Sequence, residues 1–301
     1  MSVSTTAVSP ALTLASRAAD WIELCKPRIS VMVLVAVAMA AFLARWGDVD
    51  FVVLAHTLSG VALVAASASA INQLLEIETD ALMERTRRRP LPSGRLSVAA
   101  VRRFALIAIV VGLGQFLWFV NVTAAAWAFA TWLIYGWIYT PLKRRSAFNT
   151  VVGAVSGATP ILIGWTAMGV PLDMRALALT MILFLWQFPH FMAIAWLYRQ
   201  QYADVGIRML TVVDPTGTRA AIQAVAAALA LLPVSFVPAL YVAAPGASLF
   251  VVLAFLLGVG QLIFAILFFA VRSRSTAAWL LKASLIYLPL LLVLLMLLPW
   301  F

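Results

Sequence analysis

Asn72, Glu76 and Asp80 follow one another at intervals of four residues near the end of a long apolar segment. In an α-helix, four residues turn the chain by about 400°, so these three side chains form one polar stripe. Two carboxylates and an amide supply oxygen ligands that suit Mg²⁺, whose remaining positions are filled by water and substrate phosphates. The spacing therefore predicts a magnesium site, while Glu78 points to the other side of the helix.

Basic residues follow this acidic stripe within a few positions. Four arginines precede a Pro92-Ser93-Gly94 turn: Arg85, Arg87, Arg88 and Arg89. Because guanidinium groups match phosphate oxygens, acidic and basic groups this close together predict a metal–diphosphate site. The alternative is that Glu76 and Asp80 only pair with these arginines, which would then anchor a cytoplasmic loop.

Two further stretches could contribute to chemistry. Lys143, Arg144 and Arg145 follow Tyr139-Thr140-Pro141 and either approach the same diphosphate or only anchor their loop. The second stretch, Trp186 to Phe191, places polar groups and a proline inside an apolar segment, which is typical of a kink facing a cavity. His190 in this stretch could bind an acceptor, carry a proton or only form a hydrogen bond at the kink. His56 has no partner visible in the sequence and is interpreted as structural.

The composition identifies the elements that position these residues. The 301 residues are 64% hydrophobic and 11% charged, whereas soluble domains are about 45–50% apolar and about 25% charged. Apolar runs long enough to cross a bilayer recur along the chain. The nine predicted spans are 29–44, 51–77, 104–120, 123–139, 148–168, 177–197, 220–242, 248–271 and 277–298. The predicted fold class is an all-α integral membrane protein forming one domain, residues 20–301, after a disordered tail, residues 1–19.

The lysines and arginines predict how the chain is oriented. Short cytoplasmic loops of membrane proteins carry an excess of these residues. If the N-terminus is cytoplasmic, every lysine and arginine except Arg45 and Arg175 falls on the cytoplasmic side. The formal charge of +10 therefore indicates topology in the cell (inner or plasma) membrane rather than nucleic-acid binding, and the C-terminus is expected outside. The nine-span count depends on a break between two spans at Asn121 and Val122.

At these motifs the chain resembles the UbiA superfamily of intramembrane prenyltransferases. The similar strings are Glu23 to Ile29, Asn72 to Asp80, Arg85-Thr86 with Arg89 to Gly94, and Tyr139 to Arg144. The string from Trp186 to Phe191 is similar to the branch that prenylates heme. The resemblance spans about residues 21–214 and implies nine helices around a central cavity, two Mg²⁺ ions, farnesyl diphosphate and heme B as substrates, and a downstream heme A synthase as a partner.

The resemblance also implies roles for individual residues. The catalytic residues would be Asn72, Glu76, Asp80 and His190, the first three as metal ligands. The diphosphate would be bound by basic residues: Lys26, Arg28, Arg85, Arg89, Lys143, Arg144 and Arg199. The family's second motif falls on Gln201, Tyr202 and Asp204. There the heme branch usually has an acidic residue before the tyrosine, and this chain has Gln201, so Asp204 is the nearest carboxylate.

The implied reaction moves a farnesyl group to the vinyl group of heme B and gives heme O. A rival within the same class is a prenyltransferase acting on an aromatic or quinone precursor, which shares the magnesium motif but not the string around His190. A rival of another class is an ion-coupled transporter, with intramembrane carboxylates as coupling-ion sites. Arginines directly after the acidic stripe suit a bound diphosphate better than a conducted cation.

Overall fold

The computed structural model describes residues 14–241 and 246–298. In these residues all regular secondary structure is helical, and nine helices are long and apolar enough to cross a membrane. They are α2 (Pro27–Ala44), α3 (Phe51–Leu75), α5 (Val98–Phe119), α6 (Val122–Leu142), α7 (Asn149–Ala167), α8 (Met174–Leu197), α11 (Thr218–Tyr241), α12 (Ala247–Ala270) and α13 (Arg274–Leu297). Four short helices complete the set: α1 (Leu14–Leu24), α4 (Ile77–Leu82), α9 (Arg199–Asp204) and α10 (Leu210–Val213). The predicted fold class is confirmed.

Helix α1 begins at Leu14 and so overlaps the end of the segment predicted to be a disordered tail, residues 1–19. Helix α1 is held by contacts that the sequence pattern did not reveal: Trp21 packs on Phe104 with ring centres 5.1 Å apart, and buried Asp20 pairs with Arg95. Residues 1–13 lie outside the described residues, as does residue 242, the last residue of one predicted span.

The break predicted at Asn121 separates two helices, as the nine-span count requires. Asn121 caps α6, since its Oδ1 accepts a hydrogen bond from the Ala124 N–H at 2.8 Å. Its Nδ2 donates to the carbonyl oxygen of Thr166 at 2.8 Å, which ties this turn to the end of α7. A side chain that satisfies free N–H groups at a helix start is the usual signature of an N-terminus.

Two apolar cores share α2 and α7. One core packs these two helices with α3, α5 and α6, and the other packs them with α8, α11, α12 and α13. The contact between α2 and α7 is very close at Gly164, where a Cβ would lie 2.1 Å from the carbonyl oxygen of Val37. Small residues allow such close backbone approach in membrane helix pairs, and this pair joins the two halves of the bundle.

Helix α6 is irregular at its C-terminal end. Residues Ile134–Tyr139 form a π-helical turn before Pro141. Such turns are rare and are often found at functional sites. In this chain the turn lies beside the acidic stripe, so the local irregularity sets which α6 side chains reach that stripe.

Candidate active site

Asn72, Glu76 and Asp80 form the predicted stripe, although α3 ends at Leu75, one residue before Glu76. Glu76 lies at the junction of α3 and α4, outside regular helical geometry. The four-residue register continues through this junction, because the Glu76 N–H donates to Asn72 O at 3.1 Å and the Asp80 N–H to Glu76 O at 2.7 Å. Asn72 and Asp80 are only 1% and 4% exposed, while Glu78 is exposed on the opposite side, as predicted.

Three cations from three separate chain segments meet this stripe. Lys26 Nζ lies 2.5 Å from Asn72 Oδ1. Lys143 Nζ lies 2.8 Å from Glu76 Oε1. Arg89 completes the set, with Nη1 2.6 Å from Asp80 Oδ2. Both carboxylates are therefore neutralised by side chains on long, flexible stems.

The ion pairs agree in part with the alternative that Glu76 and Asp80 only pair with the following arginines, because Asp80 does pair with Arg89. Glu76, however, pairs with Lys143 from the loop after α6, and Arg87 and Arg88 are exposed. An arginine cluster serving only to neutralise its neighbours would not require lysines from residues 26 and 143. Convergence of distant cations is the geometry expected of an anion-binding site.

Lys26 has an unusual backbone conformation at the start of α2. Its φ of 51° is the only positive value at a non-glycine residue among the described residues. Such left-handed geometry is costly for a residue with a side chain and often marks a functional position. Removal from solvent, followed by the positive charges of Arg89 and Lys143, lowers the pKa of Lys26 to about 7. Lys26 is thus held in a strained geometry with its ammonium group beside Asn72.

The ionisation of Glu76 suits a cation site. Burial alone would raise the pKa of this carboxyl group, but the charge and hydrogen bond of Lys143, followed by the charge of Lys26, lower it below its ordinary value. Glu76 therefore remains ionised at neutral pH. Asn72 Nδ2 also donates to Glu76 Oε2 at 2.9 Å, which fixes the carboxylate against α3.

Sequence reasoning missed residues of the π-helical turn and of its end. Thr140 Oγ1 accepts a hydrogen bond from Asn72 Nδ2 at 3.1 Å. The hydroxyl of Tyr135 lies 3.4 Å from Lys26 Nζ, and the Tyr139 ring centre lies 4.6 Å from Lys143 Nζ. The four-residue spacing of the two tyrosines was a usable signal, but the side-chain directions depend on the π-helical turn.

The loops after α3, α6 and α8 meet at one end of the bundle. Met83 packs in one apolar cluster with Tyr202 and Ile207. The Arg208 N–H donates to Lys143 O at 2.7 Å. These contacts place the three basic loops on the same side, as the distribution of lysine and arginine requires.

The second motif lies beside this junction with its side chains in different environments. Tyr202 is buried, and burial raises the pKa of its hydroxyl despite the opposing charge of Arg85. Gln201 Oε1 is buried and has no hydrogen-bond partner among the described residues. Asp204 is exposed and accepts a hydrogen bond from Gln200 Nε2 at 2.9 Å.

The remaining predicted diphosphate ligands have different surroundings. Arg85 is exposed, and its guanidinium carbon lies 5.4 Å from the Tyr198 ring centre. Arg199 folds back onto Trp196, 4.2 Å from its ring centre, and donates to its carbonyl oxygen at 2.9 Å. Arg28 and Arg144 are exposed. The structure therefore brings Lys26, Arg89 and Lys143 to the stripe, whereas the other four are exposed or contact other residues.

The donor set fits a hard divalent cation whose coordination is completed by other oxygens. Among residues 14–241 and 246–298, no three His, Cys, Asp or Glu side chains form a metal-binding cluster. The stripe offers two carboxylates and an amide oxygen. Only one oxygen of Asp80, Oδ2, is paired with Arg89. Such partial oxygen sites suit Mg²⁺ that retains water and binds substrate phosphates.

His190 lies on α8 and faces α13 rather than the stripe. Its Nδ1 lies 2.9 Å from Ser284 Oγ, and its ring stacks on Trp186 with centres 4.9 Å apart. Pro189 lies inside α8, which continues to Leu197. His56 instead lies 2.7 Å from Gln115 Nε2 and stacks on Phe119, which agrees with its structural interpretation.

Comparison with known proteins gives the following matches. The model of the UbiA prenyltransferase family matches residues 32–300. A protein of Solibacter usitatus named protoheme IX farnesyltransferase is 40% identical over 280 residues, which is 90% of this chain and 95% of the relative. The similarity therefore includes the last three helices, which the sequence motifs did not cover.

Solved structures share the fold at low sequence identity. Digeranylgeranylglyceryl phosphate synthase has a TM-score of 0.77 at 17% identity, covering 95% of this chain and 99% of that chain. A UbiA homologue from Archaeoglobus fulgidus bound to DMAPP and Mg²⁺ has a TM-score of 0.69 at 15% identity, covering 93% of this chain and 99% of that one. These likenesses show the same arrangement of helices.

Proposed function

The chain belongs to the UbiA prenyltransferase family, and we propose that it transfers the farnesyl group of farnesyl diphosphate to a vinyl group of heme B, producing heme O for cytochrome oxidase. The name of the Solibacter usitatus relative, protoheme IX farnesyltransferase, supports this choice of substrates. The observation that carries the proposal is the convergence of Lys26, Arg89 and Lys143 on a buried stripe of oxygen donors.

We propose that Asn72, Glu76 and Asp80 hold Mg²⁺, with a second ion bound near Gln201, Tyr202 and Asp204. Bound Mg²⁺ would neutralise the diphosphate and make it a better leaving group. The Archaeoglobus fulgidus homologue bound to DMAPP and Mg²⁺ supports this pairing of ion and substrate. Arg89 and Lys143 then exchange their carboxylate partners for diphosphate oxygens, and Lys26 exchanges the amide oxygen of Asn72. Arg28, Arg85, Arg144 and Arg199 would assist from the surrounding loops.

The reaction breaks the bond between farnesyl C1 and the diphosphate oxygen, and the electron pair leaves with the diphosphate. The π electrons of the heme vinyl group form the new bond to C1. Water adds to the resulting cation on the side chain and loses a proton, giving the hydroxyethylfarnesyl group. The basic side chains stabilise the charge that develops on the leaving group, which is the main electrostatic contribution expected of the protein.

We further propose that residues 20–301 work as one domain in the cell membrane, with the stripe at the cytoplasmic face. The chain is a multi-pass membrane protein, with nine suitable helices in its described part. The orientation is supported by the placement of nearly all lysines and arginines on one side. The product would be passed to a heme A synthase.

The test is incubation of the purified protein with farnesyl diphosphate, heme B and Mg²⁺, followed by mass spectrometry of the heme. We expect a heme carrying one added farnesyl group and one added hydroxyl group, and no product when EDTA is present. Product from an aromatic or quinone precursor but not from heme would favour the same-class rival. Ion flux in liposomes without any prenyl transfer would favour a transporter.

A further inference from the structure

Ser284 on α13 holds two aromatic side chains of α8. Its Oγ lies 2.9 Å from His190 Nδ1, and its carbonyl oxygen accepts a hydrogen bond from Trp186 Nε1 at 2.7 Å. Ser284 is fully buried, and the two rings stack on each other. One residue thus fixes the plane of His190 directly and also through Trp186.

The hydrogen bonds of Ser284 determine which imidazole nitrogen carries the proton. A serine hydroxyl has a single hydrogen. Ser284 Oγ donates it to the carbonyl oxygen of Leu281 at 2.7 Å, so the same Oγ can only accept from His190. Nδ1 therefore carries the hydrogen of the neutral imidazole, and Nε2 carries a lone pair.

Nε2 of His190 is open to a ligand. Among the described residues, the hydrogen bond of this ring is made through Nδ1. Nε2 makes no hydrogen bond there and is not fully buried. The His190 side chain as a whole is partly exposed. A nitrogen with no hydrogen-bond partner and some exposed surface can accept a ligand at its lone pair.

We propose that Ser284 is a positioning residue for the acceptor: it holds His190 in the Nδ1–H form and presents Nε2 as an axial ligand to the iron of heme B. This inference rests on the proposed function. Metal-bound histidines almost always donate their other ring N–H to an oxygen that fixes tautomer and ring orientation. Here the serine hydroxyl takes that role, and the acceptor site is assigned to α8 and α13, away from the diphosphate site on α3 and α6.

The test uses the full-length chain purified in detergent, with heme B alone as the probe. Heme affinity is measured by titration, and the iron–histidine stretching band of the ferrous complex by resonance Raman spectroscopy. Ser284→Ala should weaken heme binding about tenfold or more, the usual cost of removing such a partner. It should also move the band to lower frequency, because the ligand loses its hydrogen bond and becomes less basic. His190→Ala should remove the band.

Two further variants separate this role from general packing. Ser284→Thr keeps the hydroxyl and should keep the band at the wild-type frequency. Ser235→Ala removes another fully buried serine, whose Oγ likewise bonds the carbonyl of its own helix, and should change neither affinity nor band. If Ser284→Ala does not fold, as judged by size-exclusion chromatography, Ser284→Cys has similar size with a weak acceptor and should give the same shift.

An unchanged band and affinity in the folded Ser284 variants would overturn the positioning role. A wild-type complex without an iron–histidine band, or one whose band persists in His190→Ala, would overturn the ligand assignment. Neither result bears on the proposed function, which fails only if the wild-type chain makes no farnesylated heme from farnesyl diphosphate and heme B.

Discussion

Carboxylates at the end of α3 are stable in this protein because each has a cation within hydrogen-bonding distance. A charged side chain at the centre of a membrane helix costs about 2.5–3.5 kcal/mol to insert, and Glu76 and Asp80 reduce this cost by lying at the helix end. Lys143 and Arg89 neutralise them there. The same ion pairs stabilise the carboxylates and supply the cations that a diphosphate needs, so binding exchanges partners rather than exposing unpaired charge.

Glu76→Gln and Asp80→Asn should each lower prenyl transfer at least about a hundredfold, because each keeps the side-chain shape but removes a charge from the metal site. Turnover is measured with saturating heme B and Mg²⁺, and added heme should not restore it. Glu78→Gln is the matched control, since this exposed carboxylate lies between them on the other side of the chain. Near-normal rates in both stripe variants would favour simple salt bridges.

His190→Ala should affect the heme side of the reaction only. A neutral imidazole can bind iron, but it adds little to a diphosphate already surrounded by Arg89 and Lys143. We expect weaker heme binding or a slower vinyl step, with the affinity for farnesyl diphosphate within error of wild type. Affinities for the two substrates are measured separately. Full turnover with both affinities unchanged would reduce His190 to a structural residue of α8.

At the scale of elements, the contact between α2 and α7 positions Lys26 relative to the rest of the site. Lys26 directly precedes α2, and α7 belongs to both apolar cores. The two backbones approach closely at Gly164. Because a backbone carbonyl cannot turn away as a flexible side chain can, this contact tolerates no added atom without moving a helix.

Gly164→Ala should therefore destabilise the protein by about 1–3 kcal/mol, the usual cost of overpacking a core. Gly260→Ala is the control: this helical glycine of α12 has nothing within 4 Å of an added Cβ. Alanine there should leave stability unchanged or raise it by up to about 1 kcal/mol, because alanine favours helix. Thermal denaturation in detergent compares the two. Equal melting temperatures would show that α2 and α7 can separate without cost.

At the scale of the whole molecule, three loops far apart in the chain form one basic surface around the stripe. The contact between Arg208 and Lys143 joins the loops after α8 and α6, and the cluster around Met83 joins the loop after α3. The second, fourth and sixth of the nine spans thus end on the same side of the bundle. This is the arrangement required for one diphosphate to contact all three loops.

Reporter tags should place the N-terminus and the loop between Asp80 and Arg103 in the cytoplasm, and a tag after Phe301 outside. The physical reason is the retention of lysine- and arginine-rich loops on the cytoplasmic side. A reporter active only in the cytoplasm and one active only outside are fused at each position. A cytoplasmic signal from the tag after Phe301 would contradict the nine-span topology.

The sequence alone determined the class of fold, the number of spans and the acidic stripe. These features are local: an apolar run of sufficient length, an excess of lysine and arginine in alternate loops, and a repeated four-residue spacing each appear in a short stretch of the chain. The break at Asn121 was predicted in the same way, from the short gap between two consecutive apolar runs.

Only the tertiary structure decided which distant residues complete the sites. Lys26 and Thr140 contact Asn72 because α2, α3 and the π-helical turn of α6 pack together, whereas Arg199, equally basic, folds onto Trp196 instead. Ser284 lies in a helix with no motif in the sequence and meets His190 only through the packing of α13 on α8. A side chain's partner depends on helix rotation and depth in the bundle, and spacing along the chain does not encode either.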